Sequence, residues 1–133
     1  MLNLFPIMFL SPFAYALLRI TLGGTFLYLG YRHLTKDRFA VWEAIHLYRP
    51  RLATFSAWSL GMAELLIGGS LVAGAYTQIA ALAAATLSLT LLVVRKRLAC
   101  PAIPQPLFYL LTLAISCSLF ITGAGAFAFD LPI

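Results

Sequence analysis

The chain has 133 residues, of which 62% are hydrophobic and 10% charged. Soluble domains run at about half apolar and about a quarter charged, so this composition excludes an ordinary globular domain, and the length leaves room for one domain only. The net charge of +5 is confined: eight of the nine Lys and Arg residues fall within Arg32–Arg51 or Arg95–Arg97, as in the loops that flank membrane spans, which argues against a nucleic-acid partner.

The apolar residues come in runs of about 20, the length of helix that crosses roughly 30 Å of hydrocarbon. The first predicted span covers residues 12–34. Ser11 is suited to cap exposed amides, and Pro12 costs no hydrogen bond at a first helical position. The apolar stretch 5–10 before it lies near the interface, or else extends the helix with Pro12 as a kink. The opening Met1-Leu2-Asn3-Leu4-Phe5-Pro6 has no basic n-region, so no segment is expected to be cleaved.

Residues 35–49 are different. With Asp37 as cap, Val41, Ala44, Ile45 and Tyr48 fall on one helical face, while Arg38, Glu43, His46 and Arg49 lie elsewhere. This predicts a short amphipathic helix resting on the membrane surface and stopped by Pro50. The second and third spans, 52–75 and 77–94, are joined by the tight connection Gly74-Ala75-Tyr76-Thr77 and are therefore antiparallel neighbours. Thr86, Ser88 and Thr90 are the polar groups expected in the third span, which reads as a buttress. The fourth span, 106–129, follows a loop punctuated by Pro101, Pro104 and Pro106. The expected fold is all-α: a transmembrane four-helix bundle with an interfacial amphipathic helix between spans 1 and 2, forming one integral membrane domain. Both basic loops lie on one side, which predicts a multi-pass protein of the plasma (inner) membrane with those loops cytoplasmic and both termini outside.

Two charges fall inside spans, Arg19 and Glu64. Each costs about 3 kcal/mol or more at the bilayer centre, so each is expected to face protein and find a partner. Arg19, Gly23, Phe26 and Gly30 share one face of the first span, and Ala57, Gly61, Glu64 and Gly68 share one face of the second. Small residues on such faces let two backbones approach closely. One reading is a structural ion pair of Arg19 with Glu64 or Asp130. The other is a site for a polar head group or a proton-transfer step at Glu64. His33 and His46 read as interfacial, as do Trp42, Tyr31 and Tyr48, while Trp58, Phe108 and Tyr109 are either packing residues or the lining of a quinone pocket. Cys100 and Cys117 form no close pair and suggest neither a disulfide nor a metal site. Cys100 is expected on the cytoplasmic side, and Cys117 inert within the fourth span.

Three segments in order resemble the DoxX family of small four-helix membrane proteins: Leu18-Arg19-Ile20 through Gly23 and Phe26 to Leu34; Ala63-Glu64 through Gly68-Gly69, with Gly74 and Ala80-Ala81-Leu82; and the ending Gly123-Ala124-Gly125 to Asp130. This chain departs from the family pattern at His33, where Lys is usual, at Gln78, where Arg is common, and at Ala126, where the terminal Arg is expected. The loop Arg95-Lys96-Arg97-Leu98-Ala99-Cys100-Pro101 also resembles the related MauE-like proteins, which are linked to disulfide formation in partner proteins. Those carry a more cysteine-rich loop, and one cysteine cannot run a dithiol exchange by itself.

The DoxX resemblance implies membrane redox machinery, including the membrane part of a thiosulfate:quinone oxidoreductase. The expectation is a membrane-embedded accessory or anchoring subunit of a redox- or quinone-linked complex. Arg19, Glu64 and Asp130 would hold its polar core, and Gly23, Gly30, Gly61, Gly68, Gly123 and Gly125 would pack its helices. No intrinsic cofactor or metal is expected, though a quinone or lipid could bind, and the partners would be the bilayer with other subunits or further copies of the chain. The alternatives are an autonomous quinone-reactive oxidoreductase and a small anion or weak-acid transporter.

Overall fold

The computed structural model describes residues 7–47, 50–95 and 104–122, with backbone alone for 7–12. Among these residues it is all-helical, with five helices: α1 (Ile7–Thr35), α2 (Arg38–His46), α3 (Ala53–Ala73), α4 (Thr77–Arg95) and α5 (Pro106–Thr122). Phe13–Thr35, Ala53–Ala73 and Thr77–Arg95 are long and apolar enough to cross a membrane. α5 is a shorter apolar helix of 17 residues, and residues 123–129 of the expected fourth span lie outside the described residues.

α1 starts before the expected Ser11–Pro12 boundary and runs through the proline. A proline removes one bond to the carbonyl four residues earlier, here the carbonyl of Met8. That loss falls in the first turns, where many amides have no helical acceptor in any case, so the helix continues. α5 does begin on its proline, where the missing N–H costs nothing. Between α3 and α4, Gly74 takes a left-handed φ of 71° and its N–H donates to the Ser70 carbonyl at 2.9 Å. Tyr76 follows at φ 52°, so the reversal takes three residues.

The closest helix pair is α1 with α3. A Cβ built on Gly68 would lie 2.7 Å from the Gly23 carbonyl oxygen, and one on Gly30 would lie 2.9 Å from the Gly61 carbonyl oxygen. Neither position has room for any other residue while the backbones stay where they are. The contacts also fix the register, because Gly23 meets Gly68 and Leu71 while Leu34 meets Gly61. Gly61 lies about 12 Å along α3 from Ala53, so α3 extends beyond the end of α1.

α2 covers that exposed part of α3. Asp37 occupies its N-cap position, but the carboxylate makes no capping bond. Instead Asp37 Oδ2 accepts from Arg32 Nε and pairs with Arg32 Nη2, both at 2.6 Å, which ties the start of α2 to the end of α1. The apolar face expected to rest on the membrane is turned largely toward protein: Val41 is buried in a cluster with Ala57, Leu91 and Tyr109. Phe39 and Leu47, 81% and 79% exposed, are the side chains that α2 offers to a surrounding apolar phase.

A second apolar cluster occupies the end nearer the Gly74 turn, where Leu22 and Phe26 meet Leu71, Ala80, Ala81, Ala84 and Leu119. Outward, Phe55, Leu66, Ile79, Val93, Leu107 and Ile121 are all exposed. So much apolar surface is unlike that of a soluble monomer and matches a multi-pass membrane protein. Gly68→Leu is expected to destabilise the fold by about 2 kcal/mol or more, since overpacking a tight contact costs about 1–3 kcal/mol. Gly69→Leu, where a Cβ would meet nothing within 4 Å, should leave the thermal midpoint in detergent near that of the wild type.

Candidate functional site: a buried ionisable pair and its polar layer

Between the two apolar clusters lies a layer of polar side chains. His33 comes from the last turn of α1 and Glu64 from the middle of α3; the two residues are 2% and 0% exposed. His33 Nδ1 and Glu64 Oε2 are 2.6 Å apart, a short hydrogen bond whose donor depends on where the proton sits. Ser88 of α4 and Thr112 of α5 join at the same level, their hydroxyl oxygens 3.1 Å apart. Counting from the Gly74 reversal, Glu64 lies about 14 Å down α3 and Ser88 about 17 Å down α4, so the two polar contacts share nearly one depth. Ser116 adds a hydroxyl that donates to the Thr112 carbonyl at 2.6 Å.

Several polar atoms of this layer have no hydrogen-bond partner among the described residues: His33 Nε2, Glu64 Oε1 and the Tyr109 hydroxyl. Tyr109 is 1% exposed. Buried polar atoms normally find partners. Here an acceptor, an imidazole nitrogen and a phenol are left open among the described residues.

Arg19 and Glu64 are each buried, but the residue that meets Glu64 is His33. Arg19 lies about 21 Å farther up α1, near the Gly74 turn. The other expected partner, Asp130, lies outside the described residues, as do Gly123 and Gly125. His33, read from the sequence as interfacial, is instead enclosed by protein. His46 is exposed and stacks on Trp42, with ring centroids 4.6 Å apart. Trp42 also donates to Thr54 at 3.2 Å, and Tyr31 is 59% exposed. Of the three aromatic residues considered for a pocket, Tyr109 is buried in the cluster with Val41, Ala57 and Leu91. Phe108 packs edge-on against it, and Trp58 lies under the Arg38 guanidinium at 4.7 Å. Ser88 belongs to the layer, so α4 is more than a buttress. Cys117 is an exposed free thiol on α5; Cys100 and Tyr48 lie outside the described residues. No group of three metal-ligating side chains occurs among the described residues.

A spacing signal pointed to His33. The series 19, 23, 26, 30 continues at 33, and 57, 61, 64, 68 continues at 71; both steps alternate four and three. Extending the α1 stripe by one step places a histidine on the packing face opposite Glu64.

Removing one partner of a buried ion pair costs about 3–5 kcal/mol, because the other is left uncompensated, whereas replacing both with apolar residues is often nearly neutral. His33→Leu and Glu64→Leu alone should each lower the unfolding free energy by roughly that amount. The double variant should recover most of the loss, and a double-mutant cycle on thermal unfolding in detergent checks it.

The family model for "Methylamine utilisation protein MauE" matches residues 11–100, and no curated protein and no solved structure matches. The matched stretch spans α2, α3, α4 and most of α1, and so holds both members of the His33–Glu64 pair. The family shown is the more distant of the two that the sequence resembled. The chain belongs to the MauE family of multi-pass membrane proteins.

Proposed function

We propose that the protein is a membrane-embedded accessory or anchoring subunit of a larger redox complex, linked to the membrane quinone pool. Its four long helices would form a transmembrane bundle with α2 at the interface. The basic end, which carries Arg32, Lys36, Arg38, Arg51 and Arg95, would face the cytoplasm, and the Gly74 turn would face outward.

The observation that carries this reading is the partition of the side chains. Every long helix exposes large apolar residues, whereas the ionisable groups are drawn inside or gathered at the α2 end. A chain arranged this way offers the bilayer and neighbouring helices its whole flank. The thiol chemistry associated with MauE-like proteins needs two sulfurs; Cys117 is exposed on α5, and Cys100 lies outside the described residues.

Gentle purification of the tagged protein from its native membranes, with mass spectrometry of what accompanies it, tests the proposal. Redox subunits in stoichiometric amount are the expected result. A homogeneous homo-oligomer carrying only lipid or quinone would sink the accessory reading.

A second reading, an autonomous quinone-reactive oxidoreductase, is favoured by the open polar atoms of His33, Glu64 and Tyr109. Glu64→Gln separates the two. Loss of assembly with the partner subunits marks a structural pair, and an intact complex without turnover marks chemistry at Glu64.

A further inference from the structure

α2 and α3 enclose a crevice of ≈ 380 Å³. Among the described residues its walls are Arg38, Phe39 and Trp42 of α2 and Thr54, Ala57 and Trp58 of α3. Two contacts hold the walls to each other. The Trp42 indole N–H donates to Thr54 at 3.2 Å, and the Arg38 guanidinium lies over the Trp58 ring, 4.7 Å from its centre. Ala57 contributes only a methyl group to the wall, so the space between the two contacts is not filled.

The crevice has a cation and no anion. Arg38 is exposed, and among the described residues no carboxylate pairs with it. Its neighbour Asp37 is engaged by Arg32, and Glu43 does not line the crevice. Lys36 and Arg51, both exposed at the same end, add positive potential around it. A guanidinium over an indole still has N–H donors at its edge, and its planar fork matches a pair of phosphate oxygens. The Thr54 hydroxyl accepts from Trp42 and can still donate.

Depth and surroundings say what would bring the anion. Thr54 and Trp58 fall within about 8 Å of the start of α3, the head-group level of a helix that spans the bilayer, where indoles collect. Beyond Trp58, Met62 and Leu66 follow at one-turn steps along α3, and both are exposed. From Trp58 to Leu66 is about 12 Å, an apolar track that leads from the crevice into the hydrocarbon. An acidic protein segment would answer the charge at Arg38 but leave that track bare. A lipid covers both.

We propose that the α2–α3 crevice is a binding site for an anionic phospholipid. Its phosphate accepts from the Arg38 guanidinium, with the Thr54 hydroxyl as a second donor, and one acyl chain descends over Trp58, Met62 and Leu66. The occupant follows from charge, depth and the apolar track, and it is independent of the redox reading above.

Trp42 and Trp58 are the two tryptophans of the chain, and both line the crevice, so the tryptophan fluorescence reports on it alone. The delipidated full-length chain in dodecyl maltoside is titrated with phosphatidylglycerol carrying brominated acyl chains, which quench indoles on contact. A parallel titration uses phosphatidylcholine with the same chains, whose phosphate is offset by its own ammonium. Half-quenching by phosphatidylglycerol should need about tenfold less lipid, the worth of one hydrogen bond to a charged group. Arg38→Gln, a change at an exposed side chain, should keep the thermal midpoint and bring the two curves together. Lys36→Gln removes the same charge outside the crevice and should keep the preference. Equal curves in the wild type, a preference that survives in Arg38→Gln, or one lost equally in Lys36→Gln would each overturn the site. Glycerophosphoglycerol, the head group without chains, and polyglutamate are then added as competitors at the lipid concentration, and neither should relieve the quenching. Relief by the first would make the ligand a soluble phosphate ester, and relief by the second an acidic protein segment. Either overturns the phospholipid.

Discussion

The rest of the structure depends on the close approach of α1 to α3. With Gly23 and Gly30 facing Gly68 and Gly61, each backbone lies where a methyl group on the other would have to be. In a membrane there is little hydrophobic gain from bringing two apolar helices together, so contact area and close packing provide the attraction. The same contact sets the register. It brings a histidine at the end of α1 opposite a carboxylate in the middle of α3, and it leaves the first turns of α3 bare for α2 to cover. The Arg32–Asp37 pair then fixes how the chain leaves α1. Hydrogen bonds between membrane helices average only about 0.6 kcal/mol by measurement, so the His33–Glu64 bond is a minor source of cohesion. Its larger effect is selective, because other registers would leave an ionisable group without its partner.

The core is thereby divided into three. Leucine, phenylalanine and alanine fill the end near the Gly74 turn, and Val41, Ala57, Leu91 and Tyr109 fill the end beneath α2. Between them every long helix contributes a polar side chain: His33, Glu64, Ser88 and Thr112. The α4–α5 half of the layer is closed on itself, since Ser88 and Thr112 satisfy each other and Ser116 reaches a backbone carbonyl. The α1–α3 half is not, since His33 Nε2 and Glu64 Oε1 have no partner among the described residues.

Much of this was legible in the sequence, because a bilayer imposes simple rules. Run length gave the helices, and charge placement showed which ends belong together. Gly74-Ala75-Tyr76 marked the reversal, and small residues at alternating steps of four and three marked the faces that meet. Helix starts were less legible. Pro12 reads as a beginning but is passed over, because a proline near an N-terminus breaks few bonds wherever it falls in the first turns. Asp37 reads as a cap, yet Arg32 one turn back competes for its carboxylate and wins with two donors. The pairing of Glu64 was obscured by residue type: arginine is the obvious counter-ion for a buried glutamate, and histidine near a span end resembles an interface residue. Only the register of α1 against α3, a tertiary fact, puts Arg19 a helix half-length away and His33 in reach. Tyr109 was hidden for a similar reason, since nothing local tells an aromatic residue that packs from one that also presents a hydroxyl to a buried layer.

The three-residue reversal at Gly74 bears on how the protein enters the membrane. From Leu52 to Val94 the chain carries one Asp, Glu, Lys or Arg side chain, Glu64, and a connection so short gives α3 and α4 no chance to settle separately. They must be integrated together as a hairpin, with Glu64 carried into hydrocarbon in the same event. Chain order bears on that cost, because α1 leaves the ribosome before α3. In chain order, then, the helix that carries His33 is made before the hairpin that carries Glu64.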